Sequence, residues 1–203
     1  MAPHALRAAD LDLDLDLDLR PAIDRRAAER AVADLLAALG RDVREDGLRD
    51  TPRRVAAAYA ELLTQEPVSL TTFVNEAAYD EMVVVREIPF HSLCMHHLLP
   101  FHGVAHVAYL PGERIIGLSK LARIVEHFAR DLQVQERLTM QIADCLQEHL
   151  SPKGVGVVLE AEHLCMSLRG VQKAGTRTTT SALLGLLRDD ARTRQEFLAL
   201  VRG

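Results

Sequence analysis

Apolar positions near the N-terminus recur at helical spacing, which predicts two helices. Residues 24–39 place valine and leucine side chains on one face and are followed by Gly40, a common residue at a helix C-terminus. A second helix is expected over residues 50–63, because an Asp-Thr-Pro sequence combines a capping residue with a proline in the first turn. Together the two segments predict an N-terminal helical region at residues 21–65.

The spacing changes after residue 65, where stretches rich in valine and isoleucine predict strands separated by helices. Strands are expected at residues 82–88, 104–110 and 154–160, with weaker candidates at 164–171 and 177–182. Helices are expected at residues 119–130, 134–150 and 193–201. This order favours an α+β fold in which the helices lie on one face of an antiparallel sheet. We assign that fold to residues 66–203, with the helical region as an N-terminal extension.

The first 20 residues contain the strict alternation LDLDLDLDL at residues 11–19. Period two is typical of a strand, yet aspartate is depleted in strands, and four like charges on one face repel each other. We therefore expect residues 1–20 to be a disordered low-complexity tail, with an edge strand or a docking arm as the alternative.

Composition and charge exclude several classes of function. The 203 residues carry 24 basic and 29 acidic side chains, and the net charge of −5 disfavours nucleic-acid binding while permitting a local basic pocket. No apolar stretch approaches the roughly 20 residues that span a membrane, and no signal peptide is recognisable. Three cysteines do not suggest a disulfide framework, so a reducing cytoplasm is the expected location.

Two cysteines and a histidine-rich loop indicate a metal site. Cys94 is followed by His96 and by His97, which completes a CxxH spacing, and Cys165 is a third thiol that only the fold could bring to them. Two thiolates and one imidazole would leave a zinc position open for water, as in a catalytic site. Cys165 could instead be a buried core residue, and we expect Cys145, on the apolar face of a helix, to be one.

Histidines beside such a site can move protons, because the imidazole pKa lies near neutrality. His96 and His163 are the candidates, with a structural, hydrogen-bonded histidine as the alternative for each. Arg169 is a candidate phosphate ligand. The hydroxyl-rich run at residues 175–181 also suits phosphate, but it is equally typical of an exposed strand.

Further polar residues fit the recognition of an anionic nucleotide. Ser119, a plausible helix N-cap, is followed by Lys120 and Arg123, and basic side chains beside free N–H groups could bind an anion. Gln135 and Glu136 begin the next helix, where a carboxylate could accept the paired N–H donors of a guanine edge. The alternatives are solvent-facing charge for the first group and helix capping for the second.

Several motifs, taken together and in order, resemble GTP cyclohydrolase I. They are SLCMHHLLPFHG at residues 92–103, HVAYLP at 106–111, GLSKLAR at 117–123, QVQERLT at 133–139 and EHLCMSLRG at 162–170. The resemblance extends from about residue 50 to the C-terminal TRQEFL sequence. Long motifs in a shared order are not expected by chance.

The resemblance implies the tunnelling fold and a toroidal homodecamer with active sites at subunit boundaries. The implied reaction converts GTP and water to formate and 7,8-dihydroneopterin triphosphate, the first step of tetrahydrofolate and pterin biosynthesis. By motif position, Cys94, His97 and Cys165 would hold Zn²⁺, which would activate the water that attacks C8 of the guanine.

The same motif positions imply roles for the remaining candidates. The implied catalytic residues, which move protons or act near the ribose and phosphates, are His96, His163, Ser119 and Lys120. The implied substrate-binding residues are Gln135 and Glu136 at the guanine edge, and Arg123, Arg169 and Arg54 at the triphosphate, partly from neighbouring subunits.

Two positions depart from the family pattern. Met95 stands where the family usually has glutamate, and Ala57 stands where a basic residue is frequent, although Arg53 could supply that charge. The departures leave open a tunnelling-fold paralogue acting in deazapurine or other pterin-derived metabolism, or a non-catalytic binding paralogue. Retention of the guanine-edge pair and the arginines argues against the first, and retention of the zinc ligands argues against the second.

Overall fold

The computed structural model describes residues 11–14 and 22–202 and places the chain in two compact units. Of the described residues, 22–64 make one unit, and 65–202 with 11–14 make the other. In chain order the elements are β1 (Leu11–Asp14), α1 (Arg25–Ala38), α2 (Thr51–Leu62), β2 (Ser69–Val74), β3 (Val83–Cys94), β4 (Pro100–Leu110), β5 (Arg114–Ile116), α3 (Leu118–Ala129), β6 (Leu132–Gln133), α4 (Gln135–Leu150), β7 (Gly154–His163), α5 (Leu164–Ser167), β8 (Arg177–Gly185), α6 (Leu186–Asp189) and α7 (Ala191–Arg202).

The two predicted N-terminal helices are confirmed as α1 and α2, each within one residue of the expected bounds. α1 begins after Asp24, whose side chain accepts a hydrogen bond from the N–H of Ala27 at 2.9 Å. α2 has Pro52 in its first turn, where the missing N–H costs no helical hydrogen bond. Neither helix is long and apolar enough to cross a membrane, nor is any other helix in the described ranges.

The main sheet has five strands in the order β6-β3-β4-β7-β8. Its long strands are all antiparallel to their neighbours, and only the two-residue β6 pairs in parallel, with the end of β3. Two helices, α3 and α4, pack against one face. The predicted α+β fold is thus confirmed, with the two long helices α3 and α4 on one face of an essentially antiparallel sheet, and it is the architecture of the tunnelling fold.

The prediction of a strand at residues 164–171 is wrong. β7 continues to His163, and the chain then forms the single turn α5, closed by a hydrogen bond from the N–H of Leu168 to the carbonyl of Leu164 at 3.0 Å. This turn takes residues 164–167 out of the sheet, and β8 begins only at Arg177.

A smaller sheet has the order β1-β2-β5, with β1 antiparallel to β2 at its edge. Residues 11–14 therefore match the edge-strand alternative and not the disordered tail. Their backbone N–H and C=O groups pair with those of β2, and the charge pattern of the sequence does not reveal this pairing. The rest of the expected tail, residues 1–10 and 15–20, lies outside the described residues. β2 and β5 were not predicted.

The core lies mainly between the five-stranded sheet and the helices α3 and α4. Its largest fully buried side chains include Phe101, Tyr109, Leu121, Leu138, Ile142 and Leu159. A second, smaller cluster uses alternate positions of β4 and β7, where Ala108 and Val158 pack with Leu187 and Phe197. Because successive strand residues face opposite sides, this cluster lies on the other face of the sheet.

Gly156 permits the close approach of that second cluster to β7. A Cβ atom at this position would lie 2.6 Å from Cδ2 of Leu187 and 2.9 Å from Cε1 of Phe197, distances that side chains do not tolerate. The absence of a side chain therefore allows Phe197 to pack directly on the strand, where it is fully buried.

We expect Gly156→Ala to lower the free energy of unfolding by about 1–3 kcal/mol, the usual cost of overpacking a core. Urea denaturation at fixed protein concentration would measure the change. The matched control is Gly47→Ala, because a Cβ there would meet no atom within 4 Å. Equal losses for the two variants would contradict the packing argument.

Candidate functional site

The turn between β3 and β4 presents Cys94 and His97 side by side. Leu98 adopts a φ of 55°, and the N–H groups of His97 and Leu98 donate to the Cys94 carbonyl at 3.2 and 2.9 Å. The parallel pairing of β3 with β6 holds the start of the turn, because the N–H of Met95 donates to the Gln133 carbonyl at 3.0 Å. The backbone therefore fixes the CxxH segment independently of its side chains.

Cys165 lies in α5, directly after β7, and the fold brings it to the other two residues. Its sulfur is 4.0 Å from the Cys94 sulfur, and the Cys94 sulfur is 3.8 Å from Nδ1 of His97. All three candidate ligand atoms lie within 4.8 Å of one another. Among the described residues, this is the group of three cysteine, histidine or acidic side chains that could hold a metal ion.

Two of the three separations between ligand atoms fit a tetrahedral zinc ion. Zinc–sulfur bonds of about 2.3 Å and zinc–nitrogen bonds of about 2.0 Å place neighbouring ligand atoms roughly 3.5–3.8 Å apart. The observed separations of 4.0 and 3.8 Å agree within a few tenths of an ångström. Three ligands also leave a fourth position for water, so the donor set suits a catalytic zinc site.

The surroundings of the Cys165 thiol disfavour its ionised form when no cation is bound. Burial raises the pKa of the Cys165 thiol, and the neighbouring Cys94 raises it further. A dication would reverse this effect, because metal coordination stabilises the thiolate. Arg169 also brings positive charge to the site, with Nη1 at 3.5 Å from Nε2 of His97. His96 is exposed, with Nδ1 at 3.9 Å from the Cys94 sulfur.

His163 is held from two sides. Its ring stacks on Phe101, its partner across β4 and β7, with centroids 4.6 Å apart and planes 4° from parallel. Its Nε2 lies 2.8 Å from Oε1 of Gln135. Burial lowers the pKa of His163, while the charge of Glu136 acts in the opposite direction. The result is an oriented imidazole whose burial favours the neutral form.

The amide of Gln135 determines which nitrogen of His163 carries a proton. Gln135 is only 2 % exposed, and the two N–H groups of its Nε2 face three acceptors at 2.9–3.1 Å: the carbonyls of Leu159 and Thr178 and Oγ1 of Thr180. The reversed amide would point its oxygen at two carbonyl oxygens, so the orientation is fixed. Oε1 must then accept, His163 donates from Nε2, and its Nδ1 remains for other chemistry.

This arrangement differs from the sequence-based expectation for Gln135. We expected its side chain to face a guanine edge, but it is buried and engaged by the protein on every side. Glu136, the next residue, is exposed in the first turn of α4, and its charge acts on His163. The roles of Gln135 and Glu136 at a guanine edge stay predictions, and of the two side chains only that of Glu136 is exposed.

The remaining candidates lie on two other helices. Ser119 and Lys120 lie in the first turn of α3, but the N-cap is Gly117 and not Ser119, because the helix begins one residue earlier than predicted. Arg123, one turn further on, lines a surface pocket with Glu66 and His127. Arg54 belongs to the helical unit, where it pairs with Asp50 at 3.3 Å.

Two residues beside the site were missed by the sequence analysis. Phe101 supports the His163 ring, and Glu162 accepts hydrogen bonds from Ser167 and from the N–H of Gly175. Strand register places both, since Phe101 pairs with His163 and Glu162 precedes it. A single sequence carries no direct signal of that register.

Comparison with known proteins gives a consistent result. Residues 28–202 match the family model described as GTP cyclohydrolase I. The chain is 53 % identical to GTP cyclohydrolase 1 of Thermobifida fusca over 209 residues, covering 100 % of this chain and 99 % of the relative. It is 52 % identical to GTP cyclohydrolase 1 of Aquifex aeolicus, covering 90 % and 99 % of the two chains.

A likeness to a solved structure is weaker. The archaeosine synthase QueF-like protein in its apo form is similar with a TM-score of 0.43 and 14 % identity, over 51 % of this chain and 93 % of that one. A likeness of that size does not bear on function.

We expect Gln135→Leu to lower the free energy of unfolding by about 1–3 kcal/mol, because it leaves several buried polar groups without a partner. Urea denaturation would measure the loss. Gln147→Leu is a matched control on the same helix, since its buried Oε1 has no hydrogen-bond partner among the described residues. The control should cost less, and an equal or larger cost for Gln147→Leu would contradict the role given to the Gln135 amide.

Proposed function

Because this chain belongs to the GTP cyclohydrolase I family, we propose that it hydrolyses GTP to 7,8-dihydroneopterin triphosphate and formate, at a zinc ion held by Cys94, His97 and Cys165. The observation that carries the proposal is the convergence of these three ligand atoms within 4.8 Å, beside an oriented, half-buried histidine. We further propose that the enzyme acts in the cytoplasm, as the first step of tetrahydrofolate and pterin biosynthesis.

A bound zinc ion would lower the pKa of a water molecule, so that the water could act as the nucleophile toward C8 of guanine near neutral pH. The attack also needs a proton at the purine nitrogen, because the neutral imidazole ring is a poor electrophile. His163 is suited to exchange such a proton through Nδ1, because Nε2 is already engaged by Gln135. We assign His96, exposed beside Cys94, to the second proton transfer.

Glu136 is the proposed guanine anchor. Its carboxylate is exposed at the start of α4 and close enough to His163 to influence it electrostatically. A carboxylate accepts the adjacent N1–H and amino N–H groups of guanine in a paired geometry. The base would then lie between this anchor and the metal ligands, with His163 within reach of its imidazole ring.

Positive charge for the triphosphate comes from several places. Arg169 extends from the segment after α5 to His97, so it lies beside the metal ligands. We assign Lys120 and Arg123 on α3 to the phosphates as well, with Ser119 near the ribose. Arg54 lies in the other unit, and we propose that it reaches the triphosphate of a neighbouring subunit in a homodecamer with shared active sites.

The central test is turnover of GTP by the zinc-loaded protein. Formate release and the fluorescence of oxidised neopterin should both appear, and Cys165→Ala should abolish them together with bound zinc. Cys145→Ala is the matched control, because this buried helix residue lies outside the ligand group, so its zinc content and turnover should persist. Zinc-loaded, oligomeric protein that releases no formate from GTP would overturn the proposed function.

Metal removal should change the reactivity of the thiols in the ligand group, Cys94 and Cys165, and not that of Cys145. Burial raises the pKa of Cys145 to about 12, so this thiol stays protonated and unreactive at pH 8. We expect iodoacetamide to modify Cys165 faster after chelation than before it, because bound zinc would occupy the thiolate in the loaded protein. Peptide mass spectrometry would read the sites, and alkylation of Cys145 in folded, zinc-loaded protein would contradict the assignment.

A further inference from the structure

The segment that follows α5 carries Arg169 but is not held in place by burial. Leu168 and Val171 are 66 % and 61 % exposed, so apolar packing contributes little to its position. One backbone hydrogen bond ties the segment to α5, because the N–H of Lys173 donates to the Met166 carbonyl at 3.1 Å. Further contacts at both ends of the segment would hold Arg169 more firmly beside His97.

Glu162 makes the contacts that close this segment. Its Oε1 accepts a hydrogen bond from Oγ of Ser167 at 2.6 Å and another from the backbone N–H of Gly175 at 2.9 Å. Ser167 ends α5, and Gly175 lies just before β8. A single carboxylate oxygen therefore joins the two ends of the exposed segment, with Arg169 between them.

The surroundings keep Glu162 ionised. The two hydrogen bonds, from Ser167 first and then from Gly175, hold the pKa of this carboxyl below its ordinary value, and His102 and Arg177 add to the effect. Both residues are its direct cross-strand partners, on β4 and β8. Hydrogen bonds to a charged acceptor are stronger than those to a neutral one, so the closure is charge-assisted.

We propose that Glu162 is a positioning residue for the reaction: by tying Ser167 to Gly175 it holds Arg169 beside the metal ligands, where the guanidinium binds the triphosphate of GTP. The proposal rests on the proposed function for the identity of the substrate. Glu162 itself touches neither substrate nor metal in this scheme, and it acts through Arg169. Its loss should therefore weaken substrate binding more than it affects the chemical step or the metal.

The test compares Glu162→Ala with Glu162→Gln and with Glu160→Ala, a control that removes a carboxylate two residues earlier on β7. We expect Glu162→Ala to raise KM for GTP about tenfold, the order expected for loss of a charge-assisted hydrogen bond. Zinc content should stay at the wild-type level and kcat should change much less. Glu162→Gln keeps an acceptor oxygen and should recover most of the loss, and Glu160→Ala should resemble wild type.

A double variant separates positioning from general damage. If Glu162 acts through Arg169, then Glu162→Ala should add little to KM in an Arg169→Ala background, because coupled residues are not additive. Fully additive effects would overturn the proposal, as would a Glu162→Ala variant that loses zinc or kcat in place of substrate affinity.

Hydrogen exchange keeps this test independent of the proposed function. The N–H of Gly175 should lose protection in Glu162→Ala and keep it in Glu160→Ala, whether or not GTP is turned over. Wild-type protein that produces no formate would contradict the proposed function alone. Unchanged protection at Gly175 would contradict the role of Glu162 alone.

Discussion

The buried amide of Gln135 is the contact on which the arrangement of the site depends. It joins the first turn of α4 to β7 through Leu159, to β8 through Thr178 and Thr180, and to the site through His163. Its loss would remove a hydrogen bond from each of these partners, and an unsatisfied buried polar group is costly. The same contact that attaches the helix to the sheet therefore also orients the histidine.

The metal ligands depend on the sheet in a similar way. Cys94 ends β3 and pairs with Gln133 of β6, while Cys165 follows the end of β7, two strands away. β4 lies between them, and the ring of its Phe101 stacks on the ring of His163. The ligand separations are thus set by strand spacing and register, which rigid core packing maintains.

Sequence reasoning succeeded where the signal is local. The helices α1, α2, α3 and α4 follow from apolar spacing and end signals within single segments. It failed where strand pairing decides the structure. Residues 164–167 were predicted as part of a strand and form the helical turn α5. Residues 11–14 were predicted as part of a charged tail and pair with β2. Gln135 could be marked as functional, yet its partners come from strands 24 to 45 residues away. No local pattern reveals such partners.

Met95, the departure from the family pattern nearest the metal ligands, can be understood in these terms. Its backbone N–H donates to Gln133, which any residue except proline could do, so the turn that presents Cys94 and His97 does not need a particular side chain here. The Met95 side chain is 43 % exposed and points away from the packed core. Replacement of a carboxylate by a thioether therefore changes the surface beside the ligands and removes a negative charge there, while the ligand geometry has its own support. The departure bears on what approaches the metal and not on whether a metal can be held.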